Sequence, residues 1–376
     1  MQFYKAGQLL PQLNLGYKAF IPSPINRSWQ VDDSALLHKL GKADRFIGRL
    51  DAFSEMINID LYVRMHVTKE AMLSAKIEGT QTSFQEALMD RDAIAVERRD
   101  DWEEVNNYVA AINYAVEELD RLPLSLRLIR QTHAILMQGV RGATKSPGTF
   151  RRSQNWIGGS NPGNAIFVPP PHQEVDDLMS DLEKLLNDPE NPLPELLKIA
   201  LVHYQFETIH PFLDGNGRLG RLLIPLFLVD REILNRPILY LSAFFERNRK
   251  QYYDRLTAVR TENDLLGWFH FFLDGLIETT KDGVNTFQQI IALERELPER
   301  LKSLGKRRAA SARQLLRYMM QHPIIGSGEV STIIESSPVT GYALVKDLLE
   351  LGVLEEVAFR GRGKRVGYRA YLDLFR

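Results

Sequence analysis

The sequence contains no cysteine among its 376 residues. Disulfide bonds, zinc–thiolate sites, iron–sulfur clusters and a thiol nucleophile are therefore excluded. Because such a composition is compatible with a reducing compartment, we expect a cytoplasmic protein. Long apolar runs are missing too: the longest, from Leu222 to Val229, has eight residues, whereas a helix that spans a bilayer needs about 20. We therefore expect no association with a membrane.

A strong net charge is also missing, since 47 Lys and Arg stand against 48 Asp and Glu, a formal net charge of −1. This neutrality argues against a chain-wide attraction to nucleic acid or anionic lipid. It hides a local asymmetry, because residues 306–376 carry 12 Lys and Arg against 7 Asp and Glu, a net charge of +5. The remaining 305 residues carry a net charge of −6, so the C-terminal segment differs from the body.

The apolar spacing through the body is mostly helical, in a composition that is typical of a folded globular chain. The clearest helices are predicted over 58–78, 194–209, 217–233, 264–281 and 283–302. The 194–209 helix is apolar on nearly every face, which is typical of the buried centre of a bundle. The first 30 residues are rich in Pro, Asn and Gly, and we expect them to form an extended arm.

Residues 146–172 interrupt the helical pattern with many turn-forming residues. Short β-prone runs at 155–157 and 165–168 flank a stretch that is rich in glycine and asparagine. This arrangement predicts a hairpin, called the flap below, around Gly158–Asn164.

The last 70 residues are predicted to form three short helices and then two strands around the basic turn Arg360–Arg365. This order is the sequence outline of a winged helix-turn-helix. The basic turn could contact phosphates. The helix expected over 341–352, however, carries only Lys346 against Asp347 and Glu350. A module that docks a protein partner is therefore preferred over DNA binding.

The segment His210–Arg221, HPFLDGNGRLGR, brings together groups that suit phosphate chemistry. Pro211 ends the apolar helix that delivers His210, and a histidine side chain titrates near neutrality, as a general base should. The glycines of the next loop let backbone N–H groups approach an anion beside a new helix N-terminus.

Three further side chains of this segment complete the pattern. Arg218 and Arg221 are three residues apart, so they share one helix face and can clamp one oxygen-rich group. Asp214 offers a hard oxygen ligand that suits Mg²⁺ between phosphates. Together these groups predict a site for phosphoryl or nucleotidyl transfer.

This segment resembles the motif of the Fic family, HxFx(D/E)GNGRxxR, at every defined position. The resemblance covers about residues 95–260 and implies transfer of AMP from ATP to a hydroxyl of a target protein. It implies that His210 is the base, that Phe212 anchors the loop, and that Asp214 holds Mg²⁺. The implied anion hole and phosphate-binding set is Gly215, Asn216, Gly217, Arg218, Leu219, Gly220 and Arg221. The GNGR core departs from the Doc-like variant, whose loop favours phosphate transfer. This departure implies AMP transfer for the present sequence.

A second motif lies at Ser74–Gly79, where SAKIEG matches the Fic inhibitory motif (S/T)xxxE(G/N). Ser74 and Glu78 are four residues apart and share a helix face, and Gly79 is a favoured helix stop. A carboxylate on the fork of Arg221 competes with phosphate for the same donors. The resemblance therefore implies that Glu78 inhibits the site by pairing with Arg221.

The resemblance also implies that the flap docks a target segment by strand addition. The flap residues expected nearest the nucleotide are Asn155, Trp156, Ile157 and Gly158. Tyr252 and Tyr253 resemble the pair on the adenine side, with Asn248 in the same pocket. The implied partners are ATP, the protein target, the chain itself as a target of self-modification, and a second copy in a homodimer.

The expected fold is mainly α, a Fic-type helical bundle with a β-hairpin flap and a small winged-helix (α+β) C-terminal domain. The predicted domains are an N-terminal arm and inhibitory region (1–95), a catalytic core with the flap (96–303) and the winged-helix-like tail (304–376).

Two other functions fit the same residues. The site could remove AMP from a modified protein, with Glu78 positioning a water molecule. Alternatively, the body could be the nucleotide sensor of a transcriptional regulator. The complete His210–Arg221 set favours an enzyme, because a sensor could lose the base. The sequence leaves open the direction of the reaction, the target and the modified residue type.

Overall fold

The computed structural model describes residues 4–12, 16–56, 59–139, 143–358 and 364–375. The fold is mainly α with small antiparallel sheets, as predicted. The helices before the flap are α1 (Ser34–Met56), α2 (Asp60–Ile77), α3 (Phe84–Ala87), α4 (Arg99–Leu119) and α5 (Leu126–Leu136). The helices of the body after it are α6 (Val175–Asn187), α7 (Glu195–Ile209), α8 (Asn216–Asp230), α9 (Ser242–Arg247), α10 (Arg249–Glu262) and α11 (Leu265–Arg300). Within the described ranges, no helix has both the length and the apolar content that a membrane crossing needs.

The N-terminal segment is a hairpin instead of the expected extended arm. Strand β1 (Gly7–Gln12) pairs antiparallel with β2 (Tyr17–Pro22). The hairpin lies on the body because Ala19 and Phe20 are buried there. The backbone N–H of Phe20 also donates to the carbonyl of Val168 at 3.0 Å. The hairpin therefore extends the end of the flap.

Helix α7 is the centre of the bundle, as its apolar sequence predicted. Every residue from Leu196 to Ile209 is buried. Helix α8 packs beside it and is buried from Arg218 to Leu228. The loop between these two helices therefore has a rigid element on each side.

Helix α11 is a single helix of 36 residues, so the prediction of two helices was wrong. The two helices were predicted over 264–281 and 283–302, and Gly283 at this boundary is a weak helix former, because glycine in a helix costs about 1 kcal/mol relative to alanine. A Cβ at Gly283 would lie 3.0 Å from Cδ1 of Leu50. The glycine thus allows α1 and α11 to pack closely, and this packing offsets its low helix propensity.

The tail begins with α12 (Gly305–Gln321). It continues through β3 (Ile324–Gly326), α13 (Val330–Ile333), α14 (Pro338–Glu350), β4 (Leu354–Val357), β5 (Arg365–Tyr368) and α15 (Arg369–Asp373). The three strands form an antiparallel sheet in the order β3-β5-β4. Residues 360–363 of the predicted basic turn lie outside the described residues.

The tail packs against the N-terminal half of α2. The ring of His66 lies 5.0 Å from the ring of Phe375, and Tyr62 lies 6.1 Å from Tyr371. Helix α12 also contacts α2 directly. The helix that carries the predicted inhibitory motif is therefore in contact with both the body and the tail.

Candidate active site

His210 caps the C-terminus of α7 in the left-handed conformation, with φ 50° and ψ 61°. Pro211 disfavours helical backbone at the residue before it, so the helix ends here. A non-glycine residue in this region costs of order 1–3 kcal/mol and persists only where its surroundings hold it. Here Nε of Arg151 (2.9 Å) and Nδ2 of Asn155 (3.1 Å) donate to the carbonyl of His210. These bonds fix the turn that presents the imidazole.

Arg151 joins the base of the flap to this turn. Its guanidinium also donates to the carbonyls of Ser153 (3.1 Å) and Pro170 (2.5 Å), and its backbone N–H donates to Pro211 (2.9 Å). Burial lowers the pKa of Arg151 to about 10, so the side chain stays charged at neutral pH. Sequence reasoning missed this residue because its partners are backbone carbonyls, which leave no pattern of residue types.

The loop after His210 is held by a reciprocal pair of hydrogen bonds. The backbone N–H of Phe212 donates to Oδ1 of Asn216, and Nδ2 of Asn216 donates to the carbonyl of Phe212, both at 2.9 Å. Both residues are buried. Gly215 has φ 76°, which a glycine adopts without steric cost. The side chain of Asn216 therefore shapes the loop, and anion binding would fall to the backbone N–H groups.

His133 of α5 supports the loop from below and was not predicted. Its ring stacks on Phe212 at 3.7 Å, Nδ1 accepts from the N–H of Gly148 (2.8 Å), and Nε2 lies 3.0 Å from the carbonyl of Asp214. Because Nδ1 accepts, the proton lies on Nε2 and is donated to Asp214. Burial lowers the pKa of His133 to about 4, which keeps this neutral form.

Asp214 is open to solvent, with 44% of its side chain exposed, while the side chain of Arg218 is 7% exposed. Arg218 is held by Glu104 of α4 at 3.2 Å, and Asp214 lies 3.8 Å from it. In the part of the chain that the structure describes, no group of three or more acidic or histidine side chains could hold a metal ion. Mg²⁺ usually takes one or two carboxylates with phosphate oxygens and water, and an exposed single carboxylate such as Asp214 suits this mode.

Arg221 is hydrogen-bonded by the C-terminal end of α2. Its Nη2 donates to Oε1 of Glu78 at 2.6 Å and to the carbonyl of Ser74 at 2.9 Å, and its Nε donates to Oγ of Ser74 at 2.9 Å. Helix α2 ends at Ile77, and Gly79 has φ 107°. Ser74 and Glu78 of the motif therefore contact the last arginine of the loop segment, although they lie some 140 residues away in sequence.

The charges of this cluster are strongly coupled. Burial raises the pKa of Glu78, but the charge and hydrogen bond of Arg221 outweigh burial and hold the pKa below its ordinary value. Burial lowers the pKa of His210 to about 4, against the opposing charge of Glu78. At neutral pH the imidazole is therefore neutral and able to accept a proton.

Of the two predicted adenine-side tyrosines, Tyr252 is buried and Tyr253 is 42% exposed. His203 lies between Tyr252 and α8: Nδ1 is 2.9 Å from the carbonyl of Gly220 and Nε2 is 2.8 Å from the hydroxyl of Tyr252. Since a carbonyl only accepts, Nδ1 donates and Nε2 accepts. Asn248 joins α9 to α10. Tyr253 is therefore the tyrosine of the pair that can face a ligand, and Tyr252 supports it.

The predicted flap pairs at one isolated bridge, between Ile157 and Phe167. Gly158 has φ 69°, and Trp156 is 40% exposed. Asn155 is buried and uses its amide on the carbonyls of the loop after α7, so it holds the loop from the flap side. Leu219, which stands between Arg218 and Arg221 in the sequence of α8, is fully buried and belongs to the core.

Two family models match the chain. The Fic/DOC family model matches residues 123–228, and the Fic/DOC family N-terminal model matches residues 37–117. Residues 37–117 and 123–228 thus match the two regions of the Fic/DOC family. The first match contains the whole His210–Arg221 segment and the second contains Glu78, so both halves of the observed contact lie within Fic/DOC regions.

Curated relatives and solved structures agree with this assignment. The protein adenylyltransferase Fic of Drosophila sechellia is 25% identical over 269 residues, covering 68% of this chain and 51% of the relative. That of Aedes aegypti is 29% identical over 242 residues, covering 61% and 45%. The chain thus spans about half the length of these relatives. A crystal structure of a Fic family protein from Desulfovibrio desulfuricans G20 gives a TM-score of 0.60 at 20% identity, covering 91% of this chain and 98% of that one.

Proposed function

We propose that this protein transfers AMP from ATP to a Ser, Thr or Tyr hydroxyl of a target protein. The observation that carries the proposal is the neutral His210 held beside a loop and helix N-terminus that present Arg218 and Arg221. The names of the curated relatives give further support.

In the proposed reaction His210 takes the proton of the target hydroxyl. The hydroxyl oxygen forms a bond to the α-phosphorus of ATP, the bond from that phosphorus to the bridging oxygen breaks, and pyrophosphate leaves. An imidazole with a pKa near 4 is a weak base, so proton transfer to His210 is expected to contribute only modestly to the rate. The arginines and the loop N–H groups are therefore expected to supply the larger part by stabilising the charge on the phosphates.

The remaining predicted residues have supporting roles in this proposal. Asp214 would hold Mg²⁺, which would offset the negative charge of the phosphates. Tyr253 is proposed to face the adenine, with Tyr252 and Asn248 behind it. A target segment is proposed to pair with the flap near Ile157.

We further propose that the described state is autoinhibited. Arg221 donates to Glu78 and Ser74 and has 2% of its side chain exposed, so its Nε and Nη2 donors are already used and are not available to a phosphate. ATP that enters without this clamp would have its α-phosphorus displaced, and a displacement of about 1 Å can cost roughly 100-fold in rate. Departure of Glu78 from Arg221 would restore the clamp.

Labelled ATP with Mg²⁺ tests the reaction. Incubated alone, the Glu78→Gly variant is expected to label itself, and added cell lysate should contain labelled targets. The Glu78→Gly/His210→Ala variant serves as the control and should give no label. Absence of label with the first variant, although it binds ATP, would contradict AMP transfer.

Two other predictions share this experiment. Loss of label from AMP-modified protein on addition of the wild type would support removal of AMP. Salt-dependent DNA binding without any label would support a regulator.

The order of helices and strands in the tail supports our proposal that residues 304–376 are a winged-helix-like domain. It follows a proposed core of 96–303 and an N-terminal region of 1–95. The homodimer and the cytoplasmic location stay predictions.

A further inference from the structure

Glu207 is a buried carboxylate that no predicted function uses. It lies on α7, three residues before His210, and is 7% exposed. Its Oε1 atom has no hydrogen-bond partner among the residues that the structure describes. A buried carboxylate oxygen without a hydrogen-bond partner is costly, so such an atom in a native site calls for an explanation.

Two glycines in the first turns of α8 each leave room for one carboxylate. A Cβ at Gly217 would overlap Oε1 of Glu78, and a Cβ at Gly220 would overlap Oε1 of Glu207. Gly217 and Gly220 are three residues apart on one helix face, and Arg221 follows directly. The helix thus has two carboxylate positions beside the same arginine, and only Glu78 is hydrogen-bonded to it in the described structure.

The charges around Glu207 come from three elements. Burial and the charge of Glu78 on α2 raise its pKa, while the charges of Arg221 on α8 and Arg260 on α10 lower it, and the result is about 7. Tyr252 of α10 also faces it. Departure of Glu78 removes one of the two causes that raise the pKa, so Glu207 then ionises more readily.

We propose that Glu207 is a positioning residue that accepts the guanidinium of Arg221 when Glu78 withdraws, and so holds the arginine in place for the phosphates of ATP. The proposal rests on the proposed function, because it concerns the released state of the same site. Arg221 is buried, and when Glu78 withdraws only the neutral oxygens of Ser74 remain hydrogen-bonded to it. A buried charge that loses its hydrogen-bonded counter-ion is strongly destabilised. Glu207 supplies the second partner and also leaves the outer side of the fork free for phosphate.

ATP binding by the full-length protein tests the proposal, measured by calorimetry with Mg²⁺ from about pH 6 to about pH 8. Glu78→Gly/Glu207→Gln should bind ATP about 10-fold more weakly than Glu78→Gly at the upper end, the loss expected for one charged hydrogen bond. Affinity of Glu78→Gly should fall on acidification as Glu207 becomes protonated, and the Gln variant should lack this fall. Glu78→Gly/Glu207→Asp should recover part of the affinity.

The matched control is Glu78→Gly/Glu195→Gln, since Glu195 lies on the same helix, far along it, and pairs with Lys198. It should behave as Glu78→Gly does. Equal affinities and equal pH profiles with and without Glu207→Gln would overturn the proposal, because a purely structural role would move stability but not the pH profile. A crystal structure of Glu78→Gly gives a second test that needs no change at Glu207. Arg221 hydrogen-bonded to Glu207 is expected, and Arg221 turned away from it would overturn the proposal.

Failure of this proposal and failure of AMP transfer are distinguishable. The binding titration needs no turnover. If Glu78→Gly binds ATP but labels nothing, the proposed reaction fails, and the role of Glu207 is still decided by the titration and the crystal structure. If Glu78→Gly labels itself but the titrations are identical, only the role of Glu207 fails.

Discussion

The two ends of α2 are held in different ways. At its C-terminal end Ser74 and Glu78 make three short polar contacts with Arg221. In its N-terminal half Tyr62 and His66 pack through their rings against the tail and α11. A ligand with phosphate oxygens can replace the first kind of contact, but it cannot compete with the second. One end of the helix is therefore suited to exchange and the other to anchoring.

The anchored end combines polar contacts with ring packing. The hydroxyl of Tyr62 donates to Glu294 of α11 at 2.7 Å, whereas His66 lies between Phe287 and Phe375 at 5.0 Å from each ring. Burial lowers the pKa of His66 to about 3, so its ring is neutral and acts as an aromatic spacer. We therefore expect changes at this end to act on stability first and on activity second.

The largest effect is expected from Phe375→Ala. Phe375 is 2% exposed, and loss of such a ring typically costs about 3 kcal/mol of unfolding free energy. Urea denaturation measures it, with Tyr318→Ala on the exposed face of α12 as a control that should change little. AMP transfer by Phe375→Ala should rise less than in Glu78→Gly. An equal rise in the rate of AMP transfer in the two variants would contradict the distinction between the two ends of α2. The ring contacts of the N-terminal half would then control the site as strongly as the polar contacts of the C-terminal end.

A smaller effect, now on activity, is expected at the polar end. Glu78→Gly should raise the initial rate of self-labelling roughly 100-fold, since it frees the phosphate clamp. The control is Lys76→Ala, two residues away, whose side chain pairs with Glu246 and not with Arg221. Its rate should stay near that of the wild type. A similar rise in Lys76→Ala would mean that general loosening of the helix, and not loss of the carboxylate, activates the protein.

The smallest effect concerns pH at the anchored end. The unfolded chain binds a proton at His66 below about pH 6.5, but the folded chain does not until about pH 3, so stability falls as pH decreases through this range. In His66→Phe the loss of stability between about pH 7 and about pH 5 should be smaller by about 2 kcal/mol than in the wild type. Urea midpoints at both pH values measure it. His38→Gln, on the exposed side of α1, should keep the wild-type pH dependence.

Local chemistry explains what could be predicted from the sequence. The turn at His210–Pro211, the glycine loop and the arginine pair each follow from residue types at fixed spacing. The capping box of Ser83 and Glu86 is another feature of this local kind. Even the long-range contact of Glu78 with Arg221 could be anticipated, because a family motif marks both partners.

The residues that sequence analysis missed share one property. Their partners are distant in sequence and carry no recognisable residue pattern. Arg151 binds backbone carbonyls, His133 lies under a phenyl ring, and Glu207 faces the space beside a glycine. The single α11 was missed for a similar reason, because the fit of Gly283 against Leu50 exists only after folding. The spacing of residue types describes a single helix or strand, whereas each of these contacts connects two separate elements.

The hydrogen bonds of Arg151 to the His210 turn also restrict the position of the flap. Since one guanidinium donates to the carbonyls of Ser153, Pro170 and His210, it ties both legs of the flap to the backbone of the His210 turn. Under the proposed function, a peptide that pairs with the legs would be placed at a fixed distance from the imidazole. The tip at Gly158–Asn164 is outside these contacts and can vary in length or sequence without disturbing that distance. Under the proposed function, exchange of the tip is expected to change which targets dock without moving the flap legs relative to the His210 turn.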